Sequence, residues 1–479
     1  MKVFEAAKNS LKLSVVGRII RFLGNYLLSW LLFPEDYGIL AIAVASTEIF
    51  GLINQVGLQA FYIQDTKTEP KKLYSTVLII DIILSFSIFI IISAFTFVSW
   101  HNGLSNNIAL IMALMGLNLG LSGLSNTRFS DFKKQLDFKN YSNSLISSDI
   151  LSTLFKLVFA YIGWGASSFI GGELIGTITK VLICLPFFKQ NFSIKMFDKT
   201  LIKKISWFGK HSIITALASY ITINFDKLYL YRVTNIVFLG FYNFAVSQTN
   251  LFFSFIISPI NDLLFSTYPK VLNDYKKLNI VFSVFHFFVS IIVIPFYVFI
   301  ILNSKVFINS IYSNQWIKSS QIFIIFSFQR LFQALCFPAM PLLVSNGRPD
   351  ISSKFKILKA ALVLILSFLT YLSSKNVIYL VVAFAIGNII GDLSQFFYST
   401  IMYKIKLKFV IYDYLKIVIL SVLLALFTPI IFNLISINFT KIRLMNIAII
   451  ITYSFLYIAL IYIFYYKHIK NCLSKIKSI

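Results

Sequence analysis

Acidic residues are scarce in this chain. It carries 18 Asp and Glu against 43 Lys and Arg in 479 residues, a formal net charge of +25. Cysteine is scarcer still. Cys184, Cys336 and Cys472 lie far apart, which leaves neither a disulfide framework nor a metal-ligand spacing. The histidines His101, His211, His286 and His468 are scattered, and no H-E-x-x-H helix is formed from them. No G-x4-G-K-[ST] loop exists, so ATP is not bound in the P-loop manner, and no G-x-S-x-G elbow appears. No catalytic set, metal site or cofactor is expected. Long polar segments are also missing. The longest inner connections, near 189–206 and 128–141, are too short for a folded domain of ordinary size. No outer loop exceeds roughly fifteen residues. Catalysis by a soluble appendage is therefore not expected.

Apolar runs fill the rest. Hydrophobic residues make up 58% and charged ones 13%, with a mean hydropathy of +0.81, outside the range of ordinary soluble domains. Fourteen stretches stand out, at 11–33, 38–61, 74–99, 107–127, 143–164, 167–188, 207–231, 238–261, 280–302, 319–343, 356–373, 377–401, 413–433 and 444–466. Each can cross ~30 Å of hydrocarbon as a helix. The expected fold is therefore an all-α polytopic membrane protein.

The charge distribution orients it. Lys67, Lys71 and Lys72 follow stretch 2, and Arg128, Lys133, Lys134 and Lys139 follow stretch 4. Lys189, Lys195, Lys199, Lys203, Lys204 and Lys210 surround the 6–7 connection. Lys270, Lys276 and Lys277 follow stretch 8. Lys404, Lys406, Lys408 and Lys416 follow stretch 12, and Lys467, Lys470, Lys475 and Lys477 close the tail. The alternate loops are nearly free of Lys and Arg, and two of them, Phe33-Pro34-Glu35-Asp36-Tyr37 and Trp100-His101-Asn102-Gly103, have none. The positive-inside rule then puts both termini in the cytoplasm. It also explains the net charge without nucleic acid, through the anionic inner leaflet. The first stretch, preceded by Lys2, Lys8 and Lys12 and interrupted by Arg18 and Arg21, is too long for a signal-peptide core and reads as a retained helix.

An internal repeat is visible. Gly38 to Thr47 and Gly240 to Thr249 both read G-x4-A-V-x-x-T, 202 residues apart. Six stretches separate the copies, so both halves face the same way, which implies a parallel pseudo-repeat about the membrane normal. The expected organisation is a six-helix bundle over 1–190, a linker over 191–206, a second six-helix bundle over 207–403, and two further helices with a basic tail over 404–479.

Ionisable residues remain inside the stretches. The basic ones are Arg18, Arg21, Lys156, Lys180, Lys227 and Arg330; the acidic ones are Glu48, Asp81, Asp149, Glu173, Asp226 and Asp392. Each charge near a bilayer centre costs about 3 kcal/mol on insertion scales. Together they imply a polar interior, either a water-filled cavity or a set of ion pairs between neighbouring helices. Arg18 and Arg21 share a helix face at i,i+3. Asp149 with Lys156, and Glu173 with Lys180, share faces at i,i+7. Arg18 is close enough to the cytoplasmic end to snorkel. Asp226 and Lys227 are adjacent, point about 100° apart and do not simply pair. Pro259, Pro295, Pro338 and Pro341 are expected to kink their helices.

Two stretches carry a family resemblance. Trp30-Leu31-Leu32-Phe33-Pro34-Glu35-Asp36-Tyr37-Gly38 resembles the L-L-x-P-E-D-[FY]-G turn of bacterial polysaccharide transporters. Asn224-Phe225-Asp226-Lys227-Leu228-Tyr229-Leu230, followed by Leu239-Gly240-Phe241-Tyr242, resembles their N-x-D-[KR]…[LI]-G-x-Y stretch, departing from it at Tyr231 and Arg232. Both mark the oligosaccharide flippase (Wzx-type) branch of the multidrug/oligosaccharidyl-lipid/polysaccharide flippase superfamily. The resemblance implies two six-helix bundles around a cationic cavity in the bacterial inner membrane. It implies transfer of undecaprenyl-diphosphate-linked repeat units of O-antigen, capsule or another surface polysaccharide by alternating access. Arg18, Arg21, Lys156, Lys180, Lys227 and Arg330 become substrate-binding candidates, and Glu48 and Asp226 candidates for coupling to a proton or sodium ion. A polysaccharide polymerase and a chain-length regulator are candidate partners. The competing functions are a multidrug exporter of the same superfamily and a membrane polysaccharide polymerase.

Overall fold

The computed structural model describes residues 2–52, 57–65, 67–135, 137–373, 376–406, 408–435 and 442–477. The side chains of Lys2, Lys8, Lys12, Lys189, Lys210, His211, Lys408, Lys467, His468, Cys472, Lys475 and Lys477 lie outside the described residues. Among the described residues the regular structure is helical: α1 (Lys2–Leu31), α2 (Pro34–Gly51), α3 (Leu58–Gln64), α4 (Pro70–His101), α5 (Asn106–Lys134), α6 (Phe138–Tyr161), α7 (Ser167–Asn191), α8 (Lys199–Val233), α9 (Ile236–Val271), α10 (Tyr275–Leu302), α11 (Ser304–Ile311), α12 (Ser320–Cys336), α13 (Met340–Ser345), α14 (Pro349–Ser373), α15 (Val377–Met402), α16 (Lys408–Ile435) and α17 (Ile442–Lys477). Ten of these helical segments are long and apolar enough to cross a membrane. The long helices α1, α8 and α16 fall on three of the remaining expected stretches; the stretch expected over 38–61 instead holds α2, which ends at Gly51, and the short helix α3 from Leu58. The protein is an all-α, multi-pass membrane protein.

Capping fixes several helix starts. Asp137, Asp198, Asp274 and Asn376 accept bonds from the backbone N–H groups of α6, α8, α10 and α15 respectively, filling donors that the first turn leaves open. Asp36 caps α2 by accepting the Phe33 N–H at 2.9 Å. Its other oxygen accepts the Ala166 N–H at 2.9 Å, just before α7. The P-E-D-Y-G turn thus ties the α1–α2 and α6–α7 connections together. Gly165, at φ +53°, makes room for that carboxylate: a Cβ there would lie 2.5 Å from Asp36 Oδ1.

The chain divides into two compact units, Met1–Gly240 and Phe241–Ile479. In the first, α4 packs on α5, α6 on α1 and α7, and α2 on α5 and α8. Lipid offers no hydrophobic drive between helices, so close approach over small residues replaces it. A Cβ on Gly24 of α1 would lie 2.2 Å from Thr153 of α6, and one on Gly176 of α7 would lie 2.9 Å from Ser152. The 192–198 segment before α8 is strapped to the first turns of α4. Ser193 N–H donates to Ser75 Oγ at 3.1 Å, Asp198 N–H donates to Thr76 Oγ1 at 3.0 Å, and Lys72 pairs with Asp198 at 3.0 Å. That strap explains why α8 packs with the first unit.

In the second unit α10 is buried along most of its length and packs against α12, α16 and α17. Prolines shape these contacts. Pro295 has no N–H, so the Ile291 carbonyl lacks its helical donor; the Tyr457 hydroxyl of α17 donates to it at 2.8 Å. Pro429 of α16 orphans the Ala425 carbonyl in the same way, and Asn303 Nδ2 donates to it at 2.8 Å. Tyr453 adds a bond to the Pro295 carbonyl at 2.8 Å. Inside hydrocarbon no water can fill such vacancies, so α16 and α17 are bound into the unit by the carbonyls that its prolines release. Pro338 and Pro341 interrupt the tenth stretch with a 3₁₀ turn, Phe337–Ala339, between α12 and α13.

Candidate functional site

Apart from Asp81 on α4, the in-span charges of the first unit gather on two helix groups. On α1, α6 and α7, Arg21 pairs with Asp149 at 3.1 Å and Lys156 with Glu173 at 2.7 Å. Asp149 also feels Lys180, Lys156 and Glu173, and Glu173 feels Lys180. The i,i+7 faces expected on α6 and α7 therefore meet each other, and the pairing runs between helices rather than along them. Glycines permit this. A Cβ on Gly17 would lie 3.0 Å from Asp149 Oδ2, and one on Gly172 would lie 2.3 Å from Lys156 Cγ. Arg18 is half-buried one turn before Arg21. The group holds more positive than negative charge, and Arg21 and Glu173 are both more than half exposed.

The second group joins α2 to α8. Asn224 Nδ2 donates to Glu48 Oε2 at 2.6 Å, and Asn224 Oδ1 accepts from Lys227 Nζ at 3.1 Å. Lys227 also donates to the Ile223 carbonyl at 2.5 Å. The amide is thus oriented by the two charges it bridges. Asp226 accepts the Lys227 backbone N–H at 2.8 Å; the two side chains are both buried. Tyr220 OH donates to the Ala45 carbonyl at 2.6 Å and fixes the same helix pair. Asn224 was quoted in the motif but not assigned a role. Its signal was its position three residues before Lys227, on the same face.

Arg330 belongs to the second unit. It bonds Gln333 Oε1 at 2.5 Å and lies over the Phe253 ring, 5.5 Å from its centroid. Asp392 of α15 pairs with Lys359 of α14 at 2.9 Å, a partner the sequence had not singled out. Arg128 is not a loop residue. Helix α5 runs through it to Lys134, and it is buried and paired with Asp131, which also accepts the Tyr62 hydroxyl at 2.6 Å. Cys184 and Cys336 are buried free thiols. Among the described residues no cluster of His, Cys, Asp and Glu could hold a metal ion.

Such a helical scaffold, with ionisable side chains carried on membrane-crossing segments, is that of a multi-pass membrane protein. The solved structure of the lipid II flippase MurJ, in an inward closed conformation, is similar at a TM-score of 0.74, with 16% identity over 96% of this chain and 100% of that one. An inward-facing multidrug resistance MATE family transporter of the MOP superfamily is similar at 0.64, with 12% identity over 81% and 94%. In sequence, an uncharacterized membrane protein in the cps region of Klebsiella pneumoniae is 21% identical over 410 residues, 83% of this chain and 82% of its own length. The family described as polysaccharide biosynthesis protein matches residues 27–321, and this chain belongs to it.

Proposed function

We propose that this protein moves lipid-linked oligosaccharide repeat units across the bacterial inner membrane, with both termini in the cytoplasm. The observation that carries this is the charged group on α1, α6 and α7, where Arg18, Arg21, Lys156 and Lys180 outnumber Asp149 and Glu173. A diphosphate linked to sugar needs such a surplus, and guanidinium groups hold phosphate bidentately. Membership of a polysaccharide biosynthesis family supports that substrate class, and the cps-region relative favours capsule or a related surface polymer. Lys227 and Arg330 complete the substrate-binding set. Glu48 and Asp226 are proposed as the ion-coupling acids, and the two six-helix bundles flanking 191–206 as the moving parts. A polymerase and a chain-length regulator would take up the exported units.

Deleting the gene tests this. Surface polysaccharide should be lost while lipid-linked units accumulate on the inner face, and the intact gene should restore export. Normal surface polymer in the deletion strain would reject it. Drug export is the second function, favoured by the likeness to the MATE fold. Its signature would be drug hypersensitivity in the deletion strain with surface polymer unchanged.

A further inference from the structure

Asp81 is 2% exposed on α4, within a membrane-crossing segment. Its side-chain partners are neutral. The Thr127 hydroxyl of α5 donates to Oδ2 at 3.0 Å, and the Asn126 side chain bonds it too. Ser85 lies one turn further along α4 and is fully buried against Gly123. A Cβ on Gly123 would come within 2.4 Å of Ser85 Oγ and 2.8 Å of the Asp81 carbonyl oxygen. Asp81 with Ser85, and Gly123 with Thr127, are both i,i+4, so two polar faces meet where α4 and α5 approach most closely.

The charges on neighbouring elements are engaged elsewhere. On α5, Arg128 pairs with Asp131, which also takes the Tyr62 hydroxyl of α3 and the Gln135 amide. On α7, Glu173 is held by Lys156, Lys180 acts on Asp149 and Glu173, and Cys184 is buried. On α2, Glu48 accepts from Asn224. At the start of α4 itself, Lys72 pairs with Asp198. The carboxylates of Asp149, Glu173 and Asp392 each have a basic partner within 3.1 Å; Asp81 has none among the described residues. A carboxylate walled off from water in an apolar segment needs one compensating positive charge.

We infer that Asp81, with the Thr127 hydroxyl on its carboxylate, is a binding site for one small monovalent cation, a proton or a sodium ion. Release of the cation leaves a bare carboxylate between α4 and α5, which then admit water or part. Occupancy thereby biases how the two helices pack. This site is separate from Glu48 and Asp226 and rests on the chain's being a transporter, but binding is measurable without transport.

The test uses purified full-length protein and its Asp81→Asn variant, since Asn is nearly isosteric, keeps one acceptor oxygen for the Thr127 hydroxyl and carries no charge. With sodium, the wild type melts at a higher temperature in sodium chloride than in choline chloride at equal ionic strength, and the variant does not. With a proton, infrared difference spectra of the wild type show a protonated-carboxyl band that disappears as pH rises, and the variant lacks it. Absence of both effects in the wild type, or survival of either in Asp81→Asn, overturns the site. If that variant does not fold, Thr127→Val serves. Losing its hydroxyl should shift the titration midpoint or the sodium requirement by about threefold to tenfold, and an unchanged value overturns the site equally. Neither readout needs substrate, so a failure of the flippase function would appear separately, in the deletion strain.

Discussion

Gly38 and Gly240 rest reciprocally on each other's helix starts. A Cβ on Gly240 would lie 1.7 Å from the Pro34 carbonyl oxygen, and one on Gly38 would lie 2.0 Å from that of Ile236. Each glycine meets the carbonyl four residues before its repeat mate, the arrangement a local two-fold axis produces. The motif copies also share their internal bonds: Thr47 donates to Ala43 O and Thr249 to Ala245 O, both at 2.8 Å. Gly240→Ala should therefore destabilise the protein by about 2 kcal/mol or more, because both facing atoms are backbone and cannot yield. Thermal unfolding in detergent checks this; a wild-type melting temperature would show that the helices separate freely.

Arg21 and Asp149 give a charge-dependent prediction. The double variant Arg18→Ala, Arg21→Ala should lose most export while remaining abundant in the membrane. Surface polysaccharide and immunoblotting are measured together. Normal polymer from the double variant would remove these arginines from the substrate path.

Tyr457→Phe should destabilise the second unit by about 0.5–1.5 kcal/mol by stripping the donor from the Ile291 carbonyl. In a Pro295→Ala background, residue 295 has its own N–H and the hydroxyl becomes redundant. A double-mutant cycle should show the Tyr457→Phe effect falling towards zero. Equal effects in both backgrounds would mean that the bond does not compensate for the proline.

The Asp198 carboxyl is held down at about 2, below its ordinary 3.8, first by the Thr200 hydroxyl and backbone N–H and then by Lys72. A lowered acid favours the docked linker when ionised, so its contribution is complete above pH 3.8 and fades as pH falls from there towards 2. Protease cleavage of the 192–198 segment by an acid-active protease should rise across that window. Asp198→Asn should show raised cleavage already above pH 3.8 and no further rise across that window.

A periplasm-active reporter fused after Asn102 should be active, and one fused after Lys139 silent. The reverse pattern would invert the orientation.

Much of the fold was legible because bilayer-spanning helices demand long apolar runs, and most runs became a helix or a proline-broken helix; the run over 38–61 is divided between α2 and α3. The short helices α3, α11 and α13 were not, since seven, eight and six residues carry too little periodicity. Arg128 was misplaced because hydropathy falls at the charge, whereas α5 continues and buries it against Asp131. At the candidate site, spacing within a helix marked the right faces on α6 and α7. It could not show that Lys156 crosses to Glu173 rather than facing Asp149, because partners across helices depend on crossing geometry. Lys359 escaped notice for a related reason: it falls close to the start of its stretch, where a lysine reads as an end residue.

The Ile291 carbonyl and its donor Tyr457 are 166 residues apart. Synthesis runs from the amino end, so α10 is threaded into the bilayer long before α17 leaves the ribosome. During that interval its proline-freed carbonyl faces lipid or the insertion machinery with no hydroxyl to meet it. Helix α17 therefore closes a vacancy opened much earlier in translation, and a chain stopped before it would leave the second unit half-finished. Quality-control proteases that survey membrane helices for exposed polar backbone would find their signal there.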